Sequence, residues 1–433
     1  MRPRAGAIAG SMEFTRLRLR GLARYFTLFV GLGALFIAGT ILHPQFLTIA
    51  NQRDVLAQVS INGILAVGMT LVILTAGIDL SVGSVMSLCT VVCAMLLMER
   101  PGPGFAGITR AHWIVVPAVL LAATVLSVWL GSGSEGQSRR VRRVRTLAAL
   151  VVGLPIVLTT FLWPFAFGLP QGFSTLAVLM AVPLVGSLMG FVSGVIIAKS
   201  RLQPFIVTLA MMVSAVGLAK FIAGHGGQIH AIYTGDVEHA GAPASFEQLG
   251  GTILTVGGET LRSGKVHELK LVPIPGLFLL GAWLVAAFLL RKLPLGRYVY
   301  AVGGNEEAAR LAGVRVDAVK IFVYTASGLL AGLAAVLYCA QYTQGKADAG
   351  LGKELDAIAA VVIGGTSLMG GRGSILGTLV GVMIFGYLTN ILQLRAVSSE
   401  IQDILKGVII VGAAIMQSGD VFGGLRAIIA RRP

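Results

Sequence analysis

Long apolar runs alternate with short polar connections along almost the whole chain, and this pattern predicts its secondary structure. The apolar positions are continuous and lack a period of two, which favours helices over the lipid-facing strands of a barrel. A helix that crosses a hydrocarbon core of about 30 Å needs roughly 20 apolar residues. Eleven or twelve such segments are predicted, of which the tenth is too short to cross alone. They lie at 25–43, 58–76, 78–97, 112–130, 147–166, 174–197, 204–223, 273–290, 321–342, 356–370, 374–394 and 401–417.

The predicted fold class is therefore all-α, a polytopic transmembrane helix bundle. In lipid every backbone N–H and C=O group must find its partner within the protein, and helices satisfy this requirement locally. The composition agrees, because the mean hydropathy is +0.85 and only 12% of the residues are charged. Soluble domains carry about 25% charged residues.

Basic residues cluster beside the predicted helix ends and are densest in RRVRRVR at 139–145. Cytoplasmic connections are enriched in Lys and Arg, and the distribution of these clusters predicts that both termini are cytoplasmic. The cytoplasmic enrichment of Lys and Arg, and their interaction with anionic lipid headgroups, account for the net charge of +15. We therefore expect membrane lipid, and no nucleic acid, among the partners.

One membrane domain is predicted over 25–417, between a basic amino-terminal tail at 1–24 and a carboxy-terminal tail at 418–433. No polar connection is long enough to build its own core. The longest is the outer connection 224–272, whose four His residues lack the tight spacing of metal ligands. We predict a solvated loop there and no metal site.

Two apolar runs in opposite halves of the chain are interrupted by Gly and hydroxyl residues, ILTAGIDLSVGSV at 73–85 and VIGGTSLMGGRGSI at 362–375. Both are predicted to be broken helices. Unwound backbone is tolerated at membrane depth only where it lines a cavity or is buried in protein, and paired breaks indicate a substrate pathway. Tight helix packing is an equal alternative for the Gly pairs. The candidate pathway residues are Asp79, Ser81, Ser84, Thr366 and Ser367.

Asp79 is the most informative single residue, because a carboxylate in an apolar region costs about 2.5–3.5 kcal/mol on insertion scales. In one interpretation it caps the helix that follows by accepting hydrogen bonds from free N–H groups. In the other it stands beside the conduit and accepts hydrogen bonds from a polyhydroxylated solute. The sequence leaves both open.

The stretch AVGGNEEAARLAGVRV at 301–316 is polar, whereas hydrophobic residues make up 55% of the chain. Asn305 is a favoured N-cap, Glu306 and Glu307 occupy the first turn, and Gly313 can end the helix. A helix of about eight residues results, and isolated helices shorter than about 12–15 residues are marginal in water. It must therefore dock against another surface.

The apolar side of this short helix is formed by Ala308, Leu311 and Ala312, which share one face. Glu307 and Arg310 stand at its edges, where they can meet charged partners. On the predicted topology the helix projects into the cytoplasm between two membrane helices. A cytoplasmic partner could push on it and move the bundle, whereas an ordinary amphipathic surface helix is the alternative.

Four blocks of this sequence resemble the monosaccharide permeases of ATP-binding-cassette importers, the ribose, xylose and galactose permease group. With their flanking helices they cover most of the chain. They are GILAVGMTLVILTAGIDLSVGSV at 63–85, GVIIAKSRLQPFIVTLAMM at 194–212, LGRYVYAVGGNEEAARLAGVRV at 295–316 and ELDAIAAVVIGGTSLMGGRGSILGTLVG at 354–381.

The resemblance implies that residues 303–313 are a cytoplasmic coupling element that fits a cleft on an ATPase subunit. It also implies a multi-pass protein of the bacterial cytoplasmic (inner) membrane, a homodimeric permease and an extracytoplasmic sugar-binding protein. ATP and Mg would belong to the ATPase, and no cofactor to this chain, which contains no GxxxxGK[ST] motif. The implied coupling residues are Gly304, Asn305, Glu306, Glu307, Ala308, Ala309, Arg310, Leu311 and Gly313.

The chain departs from the compact members of this group in the block 98–173, which is predicted to insert the helix pair 112–130 and 147–166. The resemblance implies a pentose or hexose as the substrate, and within the same architecture the alternatives are a permease for a signalling furanose or a branched-chain amino acid. An ion-driven secondary transporter would need several intramembrane acidic or His residues, and Asp79 is nearly alone. A membrane-embedded enzyme is disfavoured because HExxH and GxSxG motifs are missing, and no catalytic residue is predicted.

Overall fold

A computed structural model describes part of the chain. The described residues are 26–98, 174–224, 229–233, 242–253, 255–260 and 266–418. The tail 1–24, almost all of the tail 418–433 and the predicted helix pair 112–130 and 147–166 lie outside them.

Helices dominate the described residues. They are α1 (Phe26–Leu42), α2 (Ile49–Leu74), α3 (Val82–Met98), α4 (Thr175–Ser200), α5 (Pro204–Ala223), α6 (Ala244–Gly250), α7 (Ile274–Lys292), α8 (Pro294–Gly304), α9 (Glu306–Leu311), α10 (Val316–Tyr342), α11 (Lys353–Ile363), α12 (Ile375–Leu394) and α13 (Ser399–Ser418). The short strands are β1 (His230–Ala231), β2 (Thr255–Thr260), β3 (Val266–Lys270) and β4 (Gln344–Gly345). Each predicted membrane segment outside 98–173 overlaps one of these helices, which confirms the all-α class.

Six of the described helices are long and apolar enough to cross a membrane, namely α2, α4, α5, α7, α10 and α12. The helices α1 and α3 are apolar but shorter. The segment predicted at 356–370 corresponds to α11, whose 11 residues are indeed too few to cross alone. It packs against α2, α12 and α13 and ends at the second predicted break.

The helices α2 and α3 form the centre of the bundle. Every residue of α3 from Val82 to Leu97 is buried, and α2 is buried over most of its apolar length. The helices α4, α5 and α10 pack around α3, while α7, α11 and α12 pack on α2. A helix that is hydrophobic all round belongs in such a position.

The helices α4 and α10 pack backbone to backbone. Gly186 and Gly190 of α4 face Gly328 of α10, and a β-carbon at any of the three would collide with main-chain atoms of the opposite helix. Small residues allow this close approach where lipid provides no hydrophobic force between helices. The two helices therefore form one unit with little space between them.

The outer connection 224–272 has more structure than the predicted solvated loop. Its strand β1 pairs with β4 after α10, and its helix α6 buries Phe246 in the core. Gly250, at the end of α6, lies against the carbonyl oxygen of Ala340. Among the described residues, no three His, Cys, Asp or Glu side chains come together as metal ligands would. The expectation of a solvated loop is wrong for α6.

Candidate functional site

The predicted coupling element forms a short helix with the expected caps. The Oδ1 atom of Asn305 accepts a hydrogen bond from the amide of Ala308 at 2.9 Å. Gly313 takes a positive φ of 81° beyond the other end of the helix. The helix α9 has six residues instead of about eight, because residues 305 and 312 are its caps. A preceding helix, α8, was not predicted, although Pro294 in its first turn is typical of a helix start.

The predicted apolar side of α9 faces away from the rest of the chain. Ala308, Leu311 and Ala312 are exposed, and the side chain of Leu311 is 88% accessible. Ala309 is the α9 residue that packs into the core, with 5% exposure. The side on which the helix docks against its own chain is therefore the opposite one.

An ion pair ties α9 to the beginning of α10. The Nζ atom of Lys320 lies 2.7 Å from Oε2 of Glu306, and Arg310 lies 3.3 Å from Oε1 of the same carboxylate. Burial raises the pKa of Glu306, but the hydrogen bonds and charges of Lys320 and Arg310 outweigh it and hold the pKa below its ordinary value. Sequence reasoning missed Lys320, which lies 14 residues away.

The first predicted break separates α2 from α3 and contains Asp79. This side chain is only 2% exposed. Its Oδ1 atom accepts hydrogen bonds from the amide and hydroxyl of Ser81, at 3.0 and 2.6 Å, and its Oδ2 atom accepts one from Ser327 of α10 at 2.9 Å. The carboxylate thus closes a turn at Ser81, immediately before α3 begins at Val82, and joins this turn to Ser327 of α10.

The second predicted break separates α11 from α12 and spans residues 364–374. Thr366 is buried, and Ser367 is half-buried with its hydroxyl accepting a hydrogen bond from the amide of Met369 at 3.3 Å. The hydroxyl of Tyr300, in α8, donates to the carbonyl of Gly373 at 3.1 Å. The break is thus attached to the helix that precedes the coupling element.

The two breaks and the coupling segment meet at their main chains. The amide of Gly371, in the second break, donates to the carbonyl of Leu74, the last residue of α2, at 3.0 Å. Gly303 of α8 lies against both, and a β-carbon there would collide with the Leu74 carbonyl and the Gly371 amide. Gly371 has a φ of 65°, which favours glycine. We call Leu74, Gly303 and Gly371 the junction.

A polar cavity of about 230 Å³ lies beside the junction. Thr75 and Gly77 of the first break line it on one side, and Asn305, Glu306 and Lys320 line it on another. This cavity lies between the coupling segment and the first broken helix.

The structure brings only some of the predicted pathway residues together. Asp79 and Ser81 are in contact, Ser84 is buried in α3, and Thr366 and Ser367 belong to the other break. The expectation that Asp79 is nearly alone is wrong, because Glu354 and Asp356 of α11 are also buried. The block ELDAIAAVV contains both acids on an apolar helix, a signal that sequence reasoning passed over.

Comparison with known proteins identifies relatives over nearly the whole chain. The family model described as the permease component of the branched-chain amino acid transport system matches residues 144–414. The ribose import permease protein RbsC of Escherichia coli (strain K12) is 35% identical over 381 residues, covering 87% of this chain and 88% of the relative. No solved structure matches the chain.

Two further relatives cover the chain equally well. The ribose import permease protein RbsC of Bacillus subtilis (strain 168) is 32% identical over 407 residues, covering 93% of this chain and 96% of the relative. The xylose transport system permease protein XylH of Escherichia coli (strain K12) is 32% identical over 380 residues, covering 86% of each chain. The span matched by the family model, residues 144–414, includes the coupling element and the second break.

Proposed function

The chain belongs to the family of import permeases that these ribose and xylose relatives represent, and we propose that it carries a monosaccharide into the cytoplasm. It is a multi-pass protein of the bacterial inner membrane, with six described helices that can cross the bilayer. The observation that carries the proposal is the similarity of at least 32% identity over at least 86% of the chain to permeases of two different pentoses.

The proposed substrate class is a pentose, with D-ribose and D-xylose as the first candidates. The family model is described as the permease component of a branched-chain amino acid transport system, so an amino acid is the alternative substrate. The relatives that align with this chain nearly from end to end are named for sugars. Their names favour the sugar over the amino acid.

The proposed energy source is ATP hydrolysis on a separate cytoplasmic subunit that binds α9. Leu311 offers an exposed apolar side chain at the end of a helix whose other side is fixed to this chain. An apolar residue surrounded by charged ones is the usual form of an interface centre. Glu307 is exposed on the same helix and supplies a charge at the edge. ATP and Mg would be bound by that subunit.

Movement of α9 is proposed to reach both broken helices through the junction. Gly303 lies three positions before Glu306, the first residue of α9, and touches the main chains of Leu74 and Gly371. Close-packed protein interiors have low compressibility and transmit strain. Alternating access then follows from a change in how the two broken helices meet at this point.

Two more partners complete the proposed importer. An extracytoplasmic sugar-binding protein would deliver the monosaccharide, and a second copy of this chain would give one coupling helix for each of two nucleotide sites. The support is the resemblance in the coupling segment, together with relatives that are named as permease components. Specificity would then depend chiefly on the delivering protein.

The test is reconstitution of this chain in proteoliposomes with its candidate ATPase and a panel of monosaccharide-loaded binding proteins. We expect one loaded protein to stimulate ATP hydrolysis and to support ATP-dependent uptake of its sugar. Stimulation by a protein loaded with leucine or isoleucine would instead identify the amino acid importer. Uptake driven by an ion gradient without ATP would assign the chain to secondary transport, where the buried Asp79, Glu354 and Asp356 would take on another role.

A further inference from the structure

The second break contains a tight loop with one exposed apolar side chain at its tip. We call residues 367–372 the Met369 loop. Met369 is 86% accessible, whereas its neighbour Leu368 is partly buried against the hydrophobic core. Single exposed apolar side chains are common on protein surfaces and need no explanation by themselves. The backbone that carries Met369 and the place where it lies set this one apart.

Hydrogen bonds within the Met369 loop fix its main chain. The carbonyl of Ser367 accepts a hydrogen bond from the amide of Gly370 at 3.0 Å, and the Ser367 amide donates to the carbonyl of Arg372 at 2.8 Å. The Ser367 hydroxyl accepts a further hydrogen bond from the amide of Met369 at 3.3 Å. These bonds close a β-turn over 367–370 with Met369 at its third position.

The first break and α8 hold the Met369 loop from outside. Gly370 and Gly371 have φ angles of 78° and 65°, which favour glycine. A β-carbon at Gly370 would lie 2.6 Å from the amide nitrogen of Ala76 and 2.8 Å from the carbonyl oxygen of Gly303. The loop therefore presents Met369 in one place. A side chain that is preorganised in this way loses little conformational freedom when a partner binds it.

The Met369 loop is close to the proposed coupling helix. A β-carbon at Gly371 would lie 2.7 Å from the α-carbon of Gly304, two positions before α9 begins at Glu306. The chain steps on either side of this contact place the α-carbons of Met369 and Leu311 no more than about 30 Å apart. Each partner in a standard interface contributes about 800 Å², which corresponds to a round patch about 32 Å across. One bound subunit can therefore cover both residues.

The residues exposed here are those that interfaces favour. Arg372 is exposed three positions after Met369, and none of the ion pairs between described residues includes it. Interfaces between proteins are enriched in Met and Arg relative to the rest of the surface. On α9 the exposed Leu311 is accompanied by the exposed Glu307. Each of the two surfaces thus combines one apolar side chain with one charged side chain.

We propose that the cytoplasmic ATPase subunit binds the Met369 loop as well as α9, with Met369 as the apolar contact. The inference rests on the proposed function and adds a second contact to it. An ATPase that bound α9 alone would act on the second break only through Gly303. An ATPase that also binds Met369 acts on the second break directly, on the other side of the junction.

Site-directed photo-crosslinking tests this contact. The three cysteines of the chain are buried, so an introduced surface thiol is the main target of a benzophenone maleimide. Met369→Cys and Leu311→Cys carry the probe at the two contacts. Leu351→Cys is the matched control, because Leu351 is 70% exposed but lies before the start of α11, whereas Met369 lies beyond its end.

The labelled variants are placed in lipid nanodiscs, mixed with the ATPase and illuminated. We expect the probes at positions 369 and 311 to form a product with the combined mass of permease and ATPase, and the probe at 351 to form none. A yield at 369 no higher than at 351 would overturn the inference. A product with the mass of two permease copies, in place of the ATPase product, would overturn it too and would assign Met369 to a contact between copies.

Binding affinity gives an independent test on the same nanodiscs. Met369→Asp should weaken the Kd for the ATPase about tenfold, while Met369→Leu, which keeps an apolar side chain, should stay within about twofold of the wild type. Both variants should melt at the wild-type temperature, because the side chain is exposed. A Kd for Met369→Asp within twofold of the wild-type value would overturn the inference.

The probe at position 311 separates this inference from the proposed function. If it reaches the ATPase and the probe at 369 does not, the Met369 contact is wrong and the coupling function of α9 stands. If the probe at 369 reaches the ATPase and the one at 311 does not, the Met369 contact holds and the assignment of α9 fails. If neither reaches the ATPase, both fail.

Discussion

The amide of Gly371 donates a hydrogen bond to the carbonyl of Leu74 at 3.0 Å, although 297 positions separate the two residues. This bond joins the end of one broken helix to the interior of the other break. Gly303, at the end of the helix that leads into the coupling element, occupies the space beside it. The first break, the second break and the coupling segment therefore share one point of contact, the junction.

Adding one methyl group at this contact should impair transport. Gly303→Ala would push a β-carbon into the main-chain atoms of Leu74 and Gly371, which cannot rotate away. Overpacking of this kind costs about 1–3 kcal/mol. We expect a lower melting temperature in detergent and a large loss of ATP-driven uptake.

The neighbouring variant Gly304→Ala is the control for Gly303→Ala. A β-carbon at Gly304 meets no atom within 4 Å and lies at the surface. Its effect on stability should stay within about 0.5 kcal/mol. Equal behaviour of the two variants would contradict the role of the junction.

The exposed end of α9 should control binding of the ATPase. Leu311→Asp replaces an 88% exposed apolar side chain with a charge, so the fold should not suffer. Loss of an interface hot spot costs about 2 kcal/mol or more, which is about 30-fold in Kd. Biolayer interferometry with the permease in nanodiscs and the ATPase in solution measures this change.

Leu351→Asp is the matched substitution, because Leu351 is also strongly exposed but lies in the connection before α11. It should leave the Kd for the ATPase unchanged. Melting temperatures of both variants should equal that of the wild type. If Leu311→Asp binds the ATPase as tightly as Leu351→Asp does, the coupling assignment fails.

Replacing Asp79 distinguishes a structural carboxylate from one that contacts solute. Asp79→Asn keeps an oxygen that can accept both hydrogen bonds from Ser81, whereas Asp79→Ala leaves these donors and the Ser327 hydroxyl without their acceptor. Each buried donor left unpaired costs about 1–3 kcal/mol. We expect Asp79→Ala to unfold at a clearly lower temperature and Asp79→Asn to retain uptake within about twofold. A stable Asp79→Asn variant without uptake would show that the charge itself is required.

Acidification should loosen α9 from α10. Although burial raises the pKa of Glu306, its partners Lys320 and Arg310 hold it below the ordinary value of 4.5. A carboxyl group with a depressed pKa contributes stability that is present above its ordinary pKa and lost as the pH falls through the lower value. Hydrogen exchange of residues 306–311, corrected for intrinsic rates, should keep its protection above pH 4.5 and lose it below. Lys320→Met should reduce protection already at neutral pH, and an unchanged profile in that variant would refute the ion pair.

Much of this architecture follows from local sequence. Each membrane helix among the described residues was predicted because a continuous run of about twenty apolar residues crosses a membrane as a helix. Both breaks and the Asn305 cap were predicted because they depend on residues within one turn of each other. Local patterns are sufficient where the interacting groups are neighbours along the chain.

The rest depends on contacts between distant segments. Nothing near Gly303 in the sequence indicates that Leu74 and Gly371 will lie against it. The side of α9 that packs inward is set by Lys320 and Ala309, whereas the apolar pattern alone suggested the opposite side. The role of Asp356 was not predicted because it depends on an ion pair with Lys406, which lies on a different helix.

The backbone-to-backbone packing of α4 on α10 has a consequence for signalling between the two faces of the membrane. The 27 residues of α10 form a rod about 40 Å long, with Lys320 near one end and the β4 ribbon just beyond the other. Because α10 packs closely against α4, a displacement at either end of α10 is transmitted to the other end. If a ligand that docks beside β4 changes the affinity of α9 for its partner, occupancy of α9 must change docking beside β4 by the same factor.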